Sequence, residues 1–204
     1  MIKLQFITHH TAEYSYLDSA RMALAGGCKW IQLRMKNSPD NVVISIGKKV
    51  KDFCLNYGAT LILDDYVHLV KLIGADGVHL GKNDMPITEA RALLGDKFII
   101  GGTANTFDDV LRLYNDGVNY IGCGPFQFTQ TKSHLSPILG INGYNDIITQ
   151  MKKHEIKLPV FAIGGIERSD IPAILSTGVD GIALSGSVLR ANNPIEEMKE
   201  LLKL

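Results

Sequence analysis

Short apolar runs alternate with longer amphipathic segments along the 204-residue chain, and glycine-centred turns separate them. The short runs predict buried parallel strands, and the segments between them, with apolar residues three and four positions apart, predict helices. The eight predicted strands lie near Leu4 to Thr8, Lys29 to Leu33, Thr60 to Leu63, Gly77 to Leu80, Phe98 to Gly101, Tyr120 to Gly122, Val160 to Ile163 and Gly181 to Leu184. Eight strands alternating with helices are typical of a (β/α)8 TIM barrel, an α/β fold, and we expect one domain over residues 1–204. An open doubly wound sheet is the alternative, which a count of eight strands disfavours.

A recurring phrase supports the alternation. It occurs at Ile73 to Val78, at Asn115 to Tyr120 and at Thr177 to Ile182, each time with a glycine shortly before an apolar run. Each copy predicts a helix that ends in a glycine cap directly before the next strand. No linker or low-complexity tract divides the sequence.

Composition narrows the class of protein. The hydrophobic content of 46% is sufficient for a sizeable core, and a formal net charge of zero argues against nucleic acid or an anionic membrane as partner. No apolar run approaches the roughly 20 residues that span a bilayer, so we expect a cytoplasmic protein without a membrane partner. Cys28, Cys54 and Cys123 are widely spaced and are expected to be buried thiols. The oligomeric state stays open, a homo-oligomer included.

Two acidic clusters follow neighbouring strands. Asp64 and Asp65 end the third predicted strand, and Asp84 follows the fourth. Because a right-handed crossover makes both strands point the same way, these carboxylates are expected at the same rim of the sheet. One or two carboxylates together with substrate phosphate oxygens form the usual site for Mg²⁺, so Asp65 and Asp84 are the candidate metal ligands. Turn and N-cap roles are the alternative, since aspartate is favoured at both places.

The same rim is expected to collect three cations, because barrel active sites are built at the C-terminal ends of the strands. Arg34 and Lys36 follow the second strand, and Lys132 lies in the long loop after the sixth. An arginine fork binds phosphate through two parallel hydrogen bonds, and lysine adds compact positive charge. Beside carboxylates, these cations indicate a site for a diphosphate bridged by Mg²⁺. A solvated surface position is the alternative for any single lysine.

Two glycine-rich turns at the last two strand ends indicate a smaller anion site. Gly164-Gly165 follows the seventh strand and Ser185-Gly186-Ser187 follows the eighth, where barrels commonly bind phosphate through backbone N–H groups. Two phosphate sites imply two phosphorylated small-molecule substrates. A glycine pair also occurs where backbone geometry alone requires it.

Six phrases, in order over nearly the whole chain, resemble the motifs of a known family. They are Gln32 to Lys36, the Asp65 turn, Gly77 to Pro86, Ile121 to Pro125, Thr129 to Lys132 and Ala162 to Ile166. Together they resemble the thiamin-phosphate synthases, a family that also includes the related thiazole tautomerases. The resemblance implies a barrel transferase that joins 4-amino-5-hydroxymethyl-2-methylpyrimidine diphosphate to a thiazole or carboxythiazole phosphate and releases pyrophosphate.

The resemblance also implies roles for single residues. Mg²⁺ as cofactor would be held by Asp65 and Asp84. The catalytic residues, which bind the departing diphosphate, would be Arg34, Lys36 and Lys132. The further substrate-binding residues would be Gln32 and Thr103 in the pyrimidine site, Asp64 at a position where the family usually has Asn, and Thr129, Thr131, Gly165, Ser185 and Gly186 at the thiazole phosphate. The family chemistry is dissociative: pyrophosphate leaves first, and the thiazole nitrogen attacks the resulting pyrimidine methyl cation.

Four departures from the family pattern stand out. The family usually has Asn where this chain has Asp64, and an extra carboxylate repels a diphosphate unless it binds metal or is turned away. Thr103 stands where Ser is common, which keeps the hydroxyl. Phe126-Gln127-Phe128 replaces Ile-Phe-Pro and is expected to reshape the loop over the thiazole. The turn at Ser185 to Val188 differs from the usual Ser-Ala-Ile, so the register of the phosphate contacts there is open by about one residue.

Two other functions stay open at this point. The first is a thiazole tautomerase, which resembles the synthase and would share the barrel. The tautomerase uses a His in the loop after the sixth strand, where this chain has Gly124-Pro125-Phe126. A paralogue that binds a thiamin precursor without turnover is the second, and Asp64 together with the altered loop motivates it. Release of pyrophosphate in the presence of Mg²⁺ separates the synthase from both.

Overall fold

The eight strands close into a parallel barrel in the computed structural model, which describes residues 3–128 and 137–204. The strands are β1 (Lys3–Ile7), β2 (Trp30–Leu33), β3 (Thr60–Asp64), β4 (Gly77–Leu80), β5 (Ile99–Ala104), β6 (Tyr120–Cys123), β7 (Val160–Ile163) and β8 (Gly181–Leu184). Each strand pairs with the next, and β8 pairs with β1. The predicted barrel is confirmed. The predicted bounds of β5 were wrong, because the strand continues to Ala104 and so carries Thr103 within it.

Helices cover the outside of the barrel. They are α1 (Tyr16–Ala25), α2 (Asp40–Tyr57), α3 (Val70–Ile73), α4 (Ile87–Leu94), α5 (Phe107–Asn115), α6 (Gly140–Lys153), α7 (Ile171–Ser176), α8 (Gly186–Leu189) and α9 (Pro194–Leu202). In α2 the buried positions Val43, Gly47, Val50 and Cys54 recur every three or four residues, so one face of the helix lies against the barrel. Among the described residues, no helix is long and apolar enough to cross a lipid bilayer.

An aromatic layer of Trp30, Tyr120 and Phe161 fills the barrel near the N-terminal ends of the strands. The Trp30 ring centroid lies 4.8 Å from that of Tyr120 and 4.7 Å from that of Phe161, both edge-on. Glycines on neighbouring strands provide the space, since a Cβ on Gly181 would lie 2.7 Å from Phe161 Cε1. Because side chains close this end, chemistry is confined to the rim at the C-terminal ends of the strands, which we call the rim below.

The recurring phrase has a role in addition to its predicted glycine caps, which are present as glycines with positive φ. In each copy the polar residue before the strand accepts a hydrogen bond from a backbone N–H near the start of the preceding strand. The pairs are Asp76 with Leu61 (2.7 Å), Asn119 with Ile100 (2.8 Å) and Asp180 with Val160 (2.8 Å). These side chains therefore satisfy N–H groups of β3, β5 and β7 and fix the register of three strand pairs.

The three cysteine thiols are buried, as predicted. Burial raises the pKa of Cys28 to about 11 and the pKa values of Cys54 and Cys123 to about 12. All three groups are protonated at neutral pH and serve as small apolar side chains.

Replacing Asp180 tests the strand-end hydrogen bonds. The change Asp180→Ala leaves the Val160 N–H without its acceptor, and we expect the free energy of unfolding in urea to fall by roughly 1 to 3 kcal/mol. Asp180→Asn keeps an acceptor oxygen and is expected to retain most of that stability. Equal losses in the two variants would show that the hydrogen bond is not what Asp180 contributes.

Candidate active site

Asp65 adopts a left-handed backbone conformation directly after β3. Its φ is 66°, and its N–H donates to the His79 carbonyl of β4 at a distance of 3.0 Å. Aspartate tolerates this region better than most residues, but a strained backbone of this kind costs on the order of 1 to 3 kcal/mol and occurs mainly at functional sites. The turn gives Asp64 and Asp65 different partners, Arg34 and Lys36, at the end of one strand.

Lys36 lies between the two carboxylates that the sequence proposed as metal ligands. Its Nζ is 2.5 Å from Asp65 Oδ2 and 3.6 Å from Asp84 Oδ1. The other oxygen of Asp84 accepts the Gly81 N–H at 2.6 Å, which closes the turn after β4. The N-cap alternative for Asp84 was wrong, because α4 begins at Ile87 with Pro86 as its cap. The structure thus brings Asp65 and Asp84 to one point of the rim.

The carboxylates keep Lys36 charged. Burial opposes the charged form of Lys36, but the hydrogen bond from its ammonium to Asp65 and the charges of Asp64, Asp65 and Asp84 outweigh burial and raise the pKa of Lys36. The ammonium is therefore positive over the whole physiological pH range, and it can act as a fixed electrostatic group rather than as a proton donor.

Asp64, the residue at which the chain departs from the family pattern, is buried against Arg34. Its Oδ2 lies 3.1 Å from Arg34 Nε, and its Oδ1 accepts a hydrogen bond of 3.1 Å from Gln32 Nε2. The Arg34 N–H in turn donates to Thr8 Oγ1 at 3.0 Å. A guanidinium thus lies against the extra carboxylate and offsets its negative charge.

The donor set at Asp65 and Asp84 fits magnesium. Within residues 3–128 and 137–204, no three His, Cys, Asp or Glu side chains cluster as a complete metal site. Two carboxylates with oxygens near one cation position are an incomplete set of hard ligands. Mg²⁺ commonly takes its remaining ligands from water and substrate phosphates, so this set fits an ion that binds together with a diphosphate.

Thr103 connects the rim to buried polar residues. His79 Nε2 lies 3.0 Å from Thr103 Oγ1, and His79 Nδ1 lies 3.1 Å from the hydroxyl of Tyr120. Gln5 Nε2 donates to the same hydroxyl at 3.2 Å. The sequence analysis did not single out Gln5 or Tyr120. The signal was a polar or hydroxyl-bearing residue inside an apolar strand, which from sequence alone is indistinguishable from a packed core residue.

The glycine pair after β7 carries the loop that follows β6. Gly164 and Gly165 have φ values of 96° and 70°, and a Cβ on Gly165 would lie 2.6 Å from the Phe128 carbonyl oxygen. Phe126 is buried and stacks on Tyr144 at 6.2 Å between ring centroids. The pair therefore has a packing role regardless of any phosphate. Thr129, Thr131 and Lys132 lie outside the described residues.

The turn after β8 borders a cavity of about 830 Å³ whose lining includes His9, Tyr14, Gly186 and Arg190. Ser185, the residue before Gly186, has a buried Oγ with no hydrogen-bond partner among the described residues. Arg190 was not predicted. Its guanidinium lies 2.5 Å from where a Cβ on Gly186 would be and pairs with Glu167 at 2.7 Å. A glycine at position 186 thus admits a cation to the turn that the sequence proposed for phosphate.

Comparison with known proteins gives one consistent family. The family model described as thiamine monophosphate synthase matches residues 4–188. A protein of Phocaeicola vulgatus named thiamine-phosphate synthase is 60% identical over 203 residues, which cover 100% of this chain and 98% of that protein. The solved structure of the thiamine phosphate pyrophosphorylase from Pyrococcus furiosus superposes with a TM-score of 0.87 at 34% identity, covering 99% of this chain and 94% of that one.

The pairing of Asp64 with Arg34 can be tested by anion binding. Asp64→Asn removes a negative charge from beside Arg34, so we expect inorganic pyrophosphate to bind at least about fivefold more tightly in calorimetric titrations. The control is Asp76→Asn, which removes the same charge near the N-terminal ends of the strands. Unchanged or weaker binding in Asp64→Asn would contradict the view that Asp64 competes with an anion for Arg34.

Proposed function

The chain belongs to the thiamine monophosphate synthase family, and we propose that it joins a pyrimidine methyl diphosphate to a thiazole phosphate with the help of Mg²⁺. The relatives at 58 to 60% identity over its length are named thiamine-phosphate synthase, so the chain is an enzyme of the transferase class that acts in thiamine biosynthesis. The proposal concerns the substrates, the metal and the residues that act on them.

The observation that supports the proposal most strongly is the position of Lys36 between Asp65 and Asp84. A cation already occupies the point where the two carboxylates meet, and Arg34 lies beside them through Asp64. A site that alternates carboxylates and cations suits a diphosphate with a divalent ion better than it suits an uncharged ligand.

Departure of pyrophosphate is the step that the rim would assist. As the bond between the pyrimidine methyl carbon and the diphosphate oxygen breaks, its electron pair stays on the oxygen, and negative charge grows there. Arg34 and Lys36, with Lys132 from the resemblance, would bind that charge more strongly than the charge of the intact substrate. Interactions that strengthen in the transition state are those that accelerate a reaction.

Asp65 and Asp84 would hold the ion. Mg²⁺ supplies two positive charges against the departing diphosphate when it is bound there. Lys36, which now lies against both carboxylates, would then contact phosphate oxygens instead. Such an exchange would make binding of the ion and binding of the substrate mutually dependent.

The attacking group needs no deprotonation. The thiazole nitrogen donates its lone pair to the methyl cation, and the new C–N bond forms without transfer of a proton. This chemistry requires no general base, and Lys36 at the rim stays in its charged form and so does not act as one. On the pyrimidine side, Gln32 and Thr103 would orient the ring, while Gly165, Ser185 and Gly186, with Thr129 and Thr131, would hold the thiazole phosphate.

Turnover and the variant Asp84→Asn test the proposal together. Wild-type protein is expected to release pyrophosphate from the two substrates only with Mg²⁺ and to form a product with the mass of thiamin phosphate. Asp84→Asn keeps an acceptor for the Gly81 N–H but loses the charge, and we expect the rate to fall by roughly two orders of magnitude.

Two controls make this result specific. Asp180→Asn removes the same charge at the other end of the barrel and is expected to keep the wild-type rate. A well-folded wild-type protein that releases no pyrophosphate would overturn the proposed function. Normal Mg²⁺-dependent turnover in Asp84→Asn would remove Asp84 from the metal site.

A further inference from the structure

We propose that Gln5, Tyr120 and His79 form a directed hydrogen-bond chain that holds the Thr103 hydroxyl as a donor toward an acceptor atom of the bound substrate. The three are positioning residues, since they act through Thr103 and not on the substrate. The inference rests on the proposed function only for the identity of the substrate. The direction of the chain is a property of the protein alone.

The hydrogen-bond chain crosses the barrel interior from near the aromatic layer to the rim. Gln5 Nε2 donates to the Tyr120 hydroxyl at 3.2 Å, this hydroxyl lies 3.1 Å from His79 Nδ1, and His79 Nε2 lies 3.0 Å from Thr103 Oγ1. Gln5, Tyr120 and His79 are buried, whereas Thr103 is partly exposed. Polar groups removed from water in this way depend on each other for hydrogen bonds.

Glycines fix the two rings of the chain. A Cβ on Gly122 would lie 2.9 Å from His79 Cε1, and a Cβ on Gly101 would lie 2.6 Å from the Tyr120 hydroxyl oxygen. The His79 and Tyr120 ring centroids are 5.5 Å apart, and Trp30 closes the other side of Tyr120. Because the rings have little room to turn, the order of the contacts is set by the fold.

The direction follows from counting donors. Tyr120 accepts from Gln5, so its single hydroxyl hydrogen is available for His79 Nδ1. In a neutral His79 ring with Nδ1 as acceptor, the ring hydrogen would be on Nε2 and would donate to Thr103 Oγ1, which is the tautomer we propose. The Thr103 hydroxyl then has its own hydrogen left to donate. A substrate atom that meets Thr103 must therefore be an acceptor, such as a pyrimidine ring nitrogen or a diphosphate oxygen.

Tyr120 can serve as the donor in the middle of the chain because it stays protonated. Burial raises the pKa of the Tyr120 hydroxyl well above its ordinary value, and the hydrogen bond from Gln5 offsets this only in part. The hydroxyl therefore keeps its hydrogen at neutral pH.

The direct test is the tautomer of His79, measured by ¹⁵N NMR of the imidazole nitrogens in the full chain without substrate. At a pH above the ordinary pKa of histidine, we expect Nε2 to carry the hydrogen and Nδ1 to be an unprotonated acceptor. A hydrogen on Nδ1 would mean that the chain runs in the opposite direction and would overturn the proposal. This measurement needs no activity, so it is independent of the proposed function.

Tyr120→Phe removes the donor to Nδ1, and we expect hydrogen to appear on Nδ1 and kcat/KM for the pyrimidine diphosphate to fall about tenfold. The KM for the thiazole phosphate should not change. The matched control is Tyr144→Phe, which also loses one buried hydrogen bond, to the Cys123 carbonyl at 2.8 Å, but lies outside the chain. A wild-type tautomer and wild-type kinetics in Tyr120→Phe would overturn the proposal.

Variants at Thr103 test the end of the chain even where Tyr120→Phe does not fold. Thr103→Ser keeps the hydroxyl and is expected to keep kcat/KM, whereas Thr103→Val keeps the shape and should lose about as much as Tyr120→Phe. Equal activity of the two variants would show that no hydroxyl donor is needed. If the wild-type protein does not couple the two substrates, the proposed function fails. The tautomer of His79 then decides alone whether the hydrogen-bond chain has the proposed direction.

Discussion

The balance of charge at the rim is the constraint on which the site depends. Three carboxylates, Asp64, Asp65 and Asp84, meet two cations, Arg34 and Lys36, in the described part of the rim. Each cation lies within hydrogen-bond distance of a carboxylate, so both cations are already ion-paired before an anion binds. A diphosphate that enters has to be met by further positive charge, or it must displace these contacts at a cost. This balance is the reason for proposing that a divalent ion binds with the substrate. It also explains the expected effect of Asp64, because this carboxylate pairs with Arg34 and makes the guanidinium less available to an anion.

The barrel interior holds the residues of the rim in place. The aromatic layer closes one end of the barrel, and a hydrogen-bond chain runs from Tyr120, a member of that layer, through His79 to the rim. Buried polar groups cost free energy unless they are paired, so such a chain is retained only where every member has a partner. Here each member has one, and the glycines opposite the rings keep the members in place. The barrel thus provides a rigid base for a rim whose groups must be positioned to within fractions of an ångström.

The sequence predicted the barrel well because strand and helix periods are local properties. Predicted and observed bounds agree within a few residues, and the recurring phrase does end each helix in a glycine.

Contacts between side chains of different strands were harder to predict from the sequence. The alternation of a strand shows the side to which Asp64 points but not that Arg34 is its partner, and the phrase gave no sign that Asp180 would bond to Val160. Tyr120 looked like core, because only the closed barrel brings it to His79. Arg190 was missed because its approach to the predicted phosphate turn depends on the space over Gly186, which is visible only in three dimensions.

We propose that Asp65 and Asp84 would together hold one divalent ion, close to where the Lys36 ammonium now lies between them. The most direct measurement is a crystal structure of the full chain with Mn²⁺ and inorganic pyrophosphate, in which anomalous scattering locates the metal. We expect one strong peak in contact with oxygens of Asp65, Asp84 and pyrophosphate, with the Lys36 ammonium moved onto a phosphate oxygen. A peak away from both aspartates, or pyrophosphate bound there with Lys36 still between the carboxylates and no metal, would contradict it.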